Sequence, residues 1–350
     1  MAKPPGIHKT GLFQRAPREE PRILRLGWLG LKTVDLMGET LFLERILGLE
    51  PVDEGNSNTG HHVRYNCGAL ELELLSGGTA WATRPKPRRG YPDVPLIPSF
   101  NVNDIDKLVN HLRDNEVLTT QVFEQGWAAS FYFLDAERNL WQANETRIEQ
   151  AVEAEAPPAI ATIWLAVEDY EASLQFYRDV LGLPLVDEAV RPRPITLDAE
   201  LYQRENPPED LSEFGFEVAE NSASQEPISE YGAWESPQPG NGVTETTRQG
   251  AIKSQGAVFF ESGARLALSP GGKRLADNAP RVWGKDSAFL PGLETNNLEG
   301  FAARLHSAGI KTSGPYTNFH GHQGHDRRHL SSHAAIHFYD PEGHCWQVYD

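Results

Sequence analysis

The feature that most constrains this chain is an internal duplication. Asp35 leads through Glu39, Phe42 and Leu43 to Leu47-Gly48-Leu49, and Asp169 leads through Ser173, Phe176 and Tyr177 to Leu181-Gly182-Leu183. Both Asp-to-Gly spacings are 13 residues. Further on, Ile97-Pro98-Ser99-Phe100 through Asp104 and Leu112 aligns without gaps on Leu290-Pro291-Gly292-Leu293 through Asn297 and Leu305. Each copy then closes on an Asp, a turn and a strand-like run, Asp135 to Gln142 and Asp340 to Gln347. A repeat of this length is a duplicated domain, so each functional position has a counterpart with which it can be compared.

Each unit reads as strand, helix, then further strands. Ile163, Leu165 and Val167 alternate with Thr162, Trp164 and Ala166, which is strand periodicity. Asp169 is placed to cap the helix that follows. Leu174, Tyr177 and Leu181 then fall at helical spacing, and Gly182 suits a left-handed helix end. With the Asp340-Pro-Glu-Gly-His344 turn, this order of elements resembles the vicinal oxygen chelate superfamily of glyoxalases, bleomycin- and fosfomycin-resistance proteins and extradiol dioxygenases. The resemblance covers residues 25–147 and 160–350, with the second copy matching better because Ala136-Glu137-Arg138 replaces the Pro-x-Gly turn in the first. It implies an α+β chain of two tandem glyoxalase-like domains. Each would be two βαβββ units forming a curved eight-stranded mixed sheet around a cavity.

The expected organisation is a loose Pro-containing arm over 1–24, a first domain over 25–147, a linker over 148–160 and a second domain over 161–350. Gly48 to Pro98 is 50 residues, whereas Gly182 to Pro291 is 109, which places an insertion near 190–256. Pro98 to Asp135 is 37 residues and Pro291 to Asp340 is 49, which places a second near 318–332. That second insertion carries His320, His322, His325 and His329. Added loops at the end of a rigid sheet are where binding functions tend to sit.

The formal net charge of −17 argues against nucleic acid or an anionic membrane surface as partner. Two cysteines, Cys67 and Cys345, imply no disulfide framework, and a cytoplasmic, reducing location is expected. No apolar run reaches membrane-spanning length. A small-molecule ligand is the expected partner, and a homodimer is compatible with the fold.

The resemblance also implies a divalent ion, of the Fe, Mn, Zn or Ni type, held by His, Gln or Glu on the first strand of each half-domain and a Glu near the close of the fold. Those positions fall on Trp28, Glu71, Ile97 and Gln142 in the first copy and Thr162, Arg265, Leu290 and Gln347 in the second. A divalent ion needs three or four N or O donors, and neither set supplies them. The cofactor is therefore left open. A non-standard metal site would draw on His337 and Gln347 with His320, His322 or His325.

Strand alternation fills the cavities instead. The expected wall of the second is Trp164, Thr162, His337, Tyr339, Gln347 and Arg265, with His333 on the same strand as His337. Among these His337 and Tyr339 are the candidate acid–base groups, and the others candidate ligand contacts. The first cavity's wall is Trp28, Gly30, Lys32, Glu71, Tyr132 and Gln142. His61-His62 is read as part of a loop. Three functions compete: an enzyme acting on an oxygenated aromatic or carbonyl compound through the second cavity, a metal-free binding protein, and a structural role with both cavities filled.

Overall fold

In the computed structural model the described residues are 19–57, 60–78, 96–125, 128–146, 158–192, 253–272, 283, 287–317 and 334–350. They form four βαβββ units. The first is β1 (Ile23–Thr33), α1 (Leu36–Leu41, continued by a π-helical turn Phe42–Ile46), β2 (Pro51–Ser57), β3 (Gly60–Cys67) and β4 (Leu70–Ser76). The second is β5 (Leu96–Asn101), α2 (Ile105–Asp114), β6 (Phe123–Gln125), β7 (Ala128–Leu134) and β8 (Leu140–Thr146). The third is β9 (Ala159–Val167), α3 (Tyr170–Gln175, continued by a π-helical turn Phe176–Val180), β10 (Leu185–Pro192), β11 (Lys253–Phe259) and β12 (Arg265–Pro270). The fourth is β13 (Phe289–Thr295), α4 (Leu298–Ser307), β14 (Thr312–Thr317), β15 (Ala334–Tyr339) and β16 (Cys345–Tyr349).

The four described α-helices start alike. Asp35, Asp104, Asp169 and Asn297 each accept a hydrogen bond from the backbone N–H three residues on, at 2.8–3.0 Å. This satisfies one of the N–H groups that a helix start leaves without an internal partner. Gly48 and Gly182 end their helices at φ +71° and +68°, where a Cβ would be strained. The π-helical turns before them do not follow from 3.6-residue spacing. Leu47 N–H and Leu181 N–H bond five residues back, to Phe42 and Phe176.

The units close their sheets across the duplication. One eight-stranded sheet runs β14-β15-β16-β13-β1-β4-β3-β2 and the other β10-β11-β12-β9-β5-β8-β7-β6. The first, sheet A, joins units one and four through antiparallel β1 and β13; the second, sheet B, joins units two and three through antiparallel β5 and β9. The architecture is the expected α+β one. The contiguous partition into 25–147 and 161–350 is not, because each of those segments gives one unit to each sheet. The repeat reveals units but not which units share a sheet, since either pairing satisfies the same inward and outward alternation.

The two units within each copy meet instead through their helical backs. Glu137 of the second unit accepts from Val34 N–H at 2.6 Å and Asp35 N–H at 2.7 Å, and Glu342 of the fourth accepts from Asp169 N–H at 2.9 Å. Phe42 meets Phe133 at 6.4 Å, Phe176 meets Phe338 at 6.1 Å, and Trp141 of sheet B meets Phe289 of sheet A edge-on at 5.1 Å. One continuous core therefore serves all four units.

Three further expectations change. Residues 19–22 are strapped to the start of α4, with Arg22 N–H donating to Asn296 at 2.9 Å and Asn297 Nδ2 donating to Glu19 O at 3.0 Å, so they are not part of a loose arm. Residues 1–18 lie outside the described residues. His61 and His62 lie in β3, not in a loop. The large insertion splits the β10–β11 hairpin, whose pairing is described as far as Pro192 and Lys253. Its residues 193–252, and 318–333 between β14 and β15, lie outside the described residues.

Candidate functional site: two concave faces in register

Strand register lines up one row of residues across each sheet. In sheet A the row is Glu71, Trp28, Gly292, Gln347 and His337, and in sheet B it is Arg265, Thr162, Ser99, Gln142 and Tyr132. The expected second cavity is therefore divided. His337, Tyr339 and Gln347 share sheet A with Trp28, Lys32 and Glu71. Thr162, Trp164 and Arg265 share sheet B with Tyr132 and Gln142. His320, His322, His325 and His333 lie outside the described residues.

The centre of sheet A is filled by Trp28, which is fully buried. Its ring lies flat over two glycines. A Cβ at Gly30 would come within 2.3 Å of Trp28 Cη2, and one at Gly292 within 2.9 Å of Cε3. Trp28 Nε1 donates to Glu73 Oε2 at 3.0 Å, and the ring meets Trp283 edge-on at 6.1 Å. Glu73 is fully buried and its Oε1 has no partner. Burial, only partly opposed by Arg64 and the Trp28 hydrogen bond, pushes its carboxyl up to about 7.

Beside this plug lies a half-buried polar group. Lys32 Nζ sits 4.2 Å from the Trp283 ring centre. Among the described residues no hydrogen bond or ion pair to an acid occupies that ammonium, and burial lowers its pKa. His337 Nε2 is 3.3 Å from Gln347 Oε1, an acceptor, which places the neutral ring's proton on Nε2. Burial lowers the His337 pKa and the Lys32 charge adds to this, while the Gln347 hydrogen bond opposes both. Cys345, bonded to Tyr339, is pushed up to about 12 by burial and stays a thiol at neutral pH.

Sheet B differs in kind. Trp164 sits one row further along than Trp28, opposite Ile97 and Ala267. It is half-buried against a small apolar group with Ile97, Tyr132, Leu134, Leu140 and Ala166. Its indole N–H and Gln142 Oε1 are buried without partners. Thr162 is half-buried, and Arg265, expected in the cavity, is in register with Thr162 but exposed at the rim.

Among the described residues, neither face supplies the donors that a resident divalent ion needs. Regrouped by sheet, the positions that the resemblance assigns are Trp28, Glu71, Leu290 and Gln347, then Thr162, Arg265, Ile97 and Gln142. The first set offers one carboxylate and one amide beneath an indole ring. The second offers a hydroxyl and an amide beside a cation. Among the described residues, no cluster of three His, Cys, Asp or Glu side chains could hold a metal.

The sequence reading missed Glu73 and Trp283. The alternation Leu70-Glu71-Leu72-Glu73 puts both glutamates on one face and could have found the first. Trp283 lies outside the named strands and carried no periodic signal.

This pairing of βαβββ units around two concave sheets has known counterparts. The Glyoxalase/Bleomycin resistance protein/Dioxygenase superfamily model matches residues 159–348, more than half of the chain. The chain belongs to that superfamily. Among solved structures it is similar to glyoxalase I of Zea mays, at 12% identity over 94% of this chain and 92% of that one, with a TM-score of 0.54. It is also similar to a protein of Bacillus subtilis described as a candidate dioxygenase, at 11% identity over 94% and 85% of the two chains, with a TM-score of 0.53. At these identities the likeness carries the fold alone. No curated protein sequence matches the chain significantly. No described helix is long and apolar enough to cross a membrane.

Proposed function

We propose that this superfamily member binds a planar, oxygenated organic anion without a resident metal, at the Lys32–His337–Gln347 corner of sheet A. The observation that carries this is Lys32, a half-buried ammonium with no acidic partner among the described residues, held against Trp283 and within electrostatic reach of the His337 imidazole. A ligand's carboxylate or enolate oxygen would supply the missing countercharge, and Trp283 a flat apolar surface. His337 and Gln347 would read a second oxygen. Burial of Cys67 and Cys345 as free thiols supports a reducing, cytoplasmic setting.

The test is calorimetric titration of metal-depleted protein with salicylate, a planar hydroxy-carboxylate. Saturable binding that weakens at least tenfold in Lys32→Ala is expected. A stoichiometric metal in the purified protein, whose removal abolishes binding, would overturn the reading.

A second reading is favoured by the paired protonation states of His337 and Lys32. A neutral imidazole within electrostatic reach of a cation could take a proton from carbon α to a carbonyl while the cation steadies the resulting enolate. Turnover of a carbonyl substrate would then rise through the lowered His337 pKa and vanish in His337→Gln with ligand affinity retained.

A further inference from the structure

The molecule carries a second groove, on its helical side and away from both concave faces. It encloses about 400 Å³ between α1 with its π-helical turn and two segments of the second unit, Asn115–Leu118 and Leu134–Arg138. Leu41, Ile46, Val117, Leu118 and Leu134 give it apolar walls, and Arg45 and Arg138 stand on its lining. Among the described residues, neither guanidinium has a hydrogen bond or ion pair to a protein group. The acidic groups of the lining are Glu116, which is exposed, and Asp135, whose carboxylate is engaged by Asn139 and Trp141.

The duplication shows that the lining of this groove is particular to one half. At the corresponding positions of units three and four, Arg45 becomes Asp179 and Arg138 becomes Gly343, while Leu41 becomes Gln175. The backbone makes the contrast sharper. Arg138 has φ +63° and Glu116 has φ +61°, where the counterparts are Gly343 at +88° and Gly309 at +78°. The left-handed region favours glycine, so in the first half two strained residues are kept where the other half relaxes to glycine. Both line the groove.

We infer that this groove is a binding site for a small amphipathic carboxylate, its apolar body between α1 and the second unit and its carboxylate met by Arg45 and Arg138. Guanidinium groups match a carboxylate in charge and in paired N–H geometry. A volume of this size accepts a short acyl chain or a single ring.

Octanoate, octan-1-ol and octylammonium distinguish the alternatives in calorimetric titrations of the full chain. Octanoate is expected to bind saturably and at least tenfold tighter than the alcohol or the amine. The double variant Arg45→Asp, Arg138→Gly installs the residues of the other half. It should weaken octanoate at least tenfold with the unfolding temperature unchanged or raised, because the left-handed strain at position 138 is removed. Lys32→Ala should leave octanoate binding as it is, which separates this groove from the sheet A site. Absent octanoate binding, equal binding by the double variant, tighter binding of octylammonium, or loss of octanoate binding in Lys32→Ala would each overturn the inference.

Discussion

Sheets A and B have the same strand order and the same register, yet their centres are built on opposite plans. In sheet A the tryptophan occupies the row of Gly292, Gln347 and His337, and its ring needs Gly30 and Gly292 as floor. In sheet B the tryptophan has moved one row along, Thr162 holds the earlier position, and Ser99 replaces the floor glycine. Sheet A spends its indole N–H on a buried acid, whereas sheet B leaves its indole N–H and Gln142 Oε1 without partners. The same scaffold thus holds one plugged, charged face and one with a cation exposed at its rim and unused hydrogen-bonding capacity. Filling the centre and furnishing it for a ligand are separate tasks, decided by single residues at matched positions.

The largest expected effect tests whether the sheets are interleaved at all. Expressed separately, 1–152 and 153–350 should each fail to give a folded monomer, because each carries half of two sheets. Co-expression should restore a cooperative melt. A monomeric, cooperatively melting 1–152 fragment would break the comparison at its root.

Trp28→Ala should cost about 3–5 kcal/mol in denaturant unfolding, as for other fully buried large aromatics. Trp164→Ala should cost less than half as much, since Trp164 is half-buried and its N–H makes no bond. Equal losses would show that both tryptophans are core plugs.

Glu73→Gln sharpens the contrast through pH. Glu73 is raised from 4.5 to about 7, so the folded protein holds this proton more tightly than the unfolded chain does. Its stabilising contribution is complete below pH 4.5 and is lost as pH rises through 7, a fall of roughly 3 kcal/mol at most. The Gln variant lacks that slope and should be the more stable protein at pH 8, read as unfolding free energy at pH 5 and pH 8. An unchanged slope would place the raised acid elsewhere.

The smallest effect on stability is expected for Lys32→Ala and His337→Gln, both half-buried, at about 1 kcal/mol or less by thermal unfolding. The effect of Lys32→Ala on ligand affinity should far exceed that of Thr162→Ala in sheet B.

Units, caps and facing were legible in the sequence. Asp35 and Asp169 announce their helices, Gly48 and Gly182 end them, and Phe338 sets the phase that turns His337 inward beside Gln347. The assembly of units was not legible, because β1 can pair with β5 or with β13 under the same alternation of faces. That is why Trp164 was expected next to His337 when the indole there is Trp28. Arg265 was placed in the right row, but a register does not say whether a long side chain at a sheet's rim folds in or out. The left-handed Glu116 and Arg138 were invisible for another reason. Nothing in their identity marks the conformation, and only the glycines in the other copy reveal it.

The exchange of units between sheets also bears on how such a chain can diverge. Lys32 comes from the first copy and His337 from the second, so the corner they form belongs to neither. Were each copy to enclose its own cavity, one could drift freely while the other kept its function. Here a change fixed in either copy is felt on both faces, and the two halves are bound to a common history.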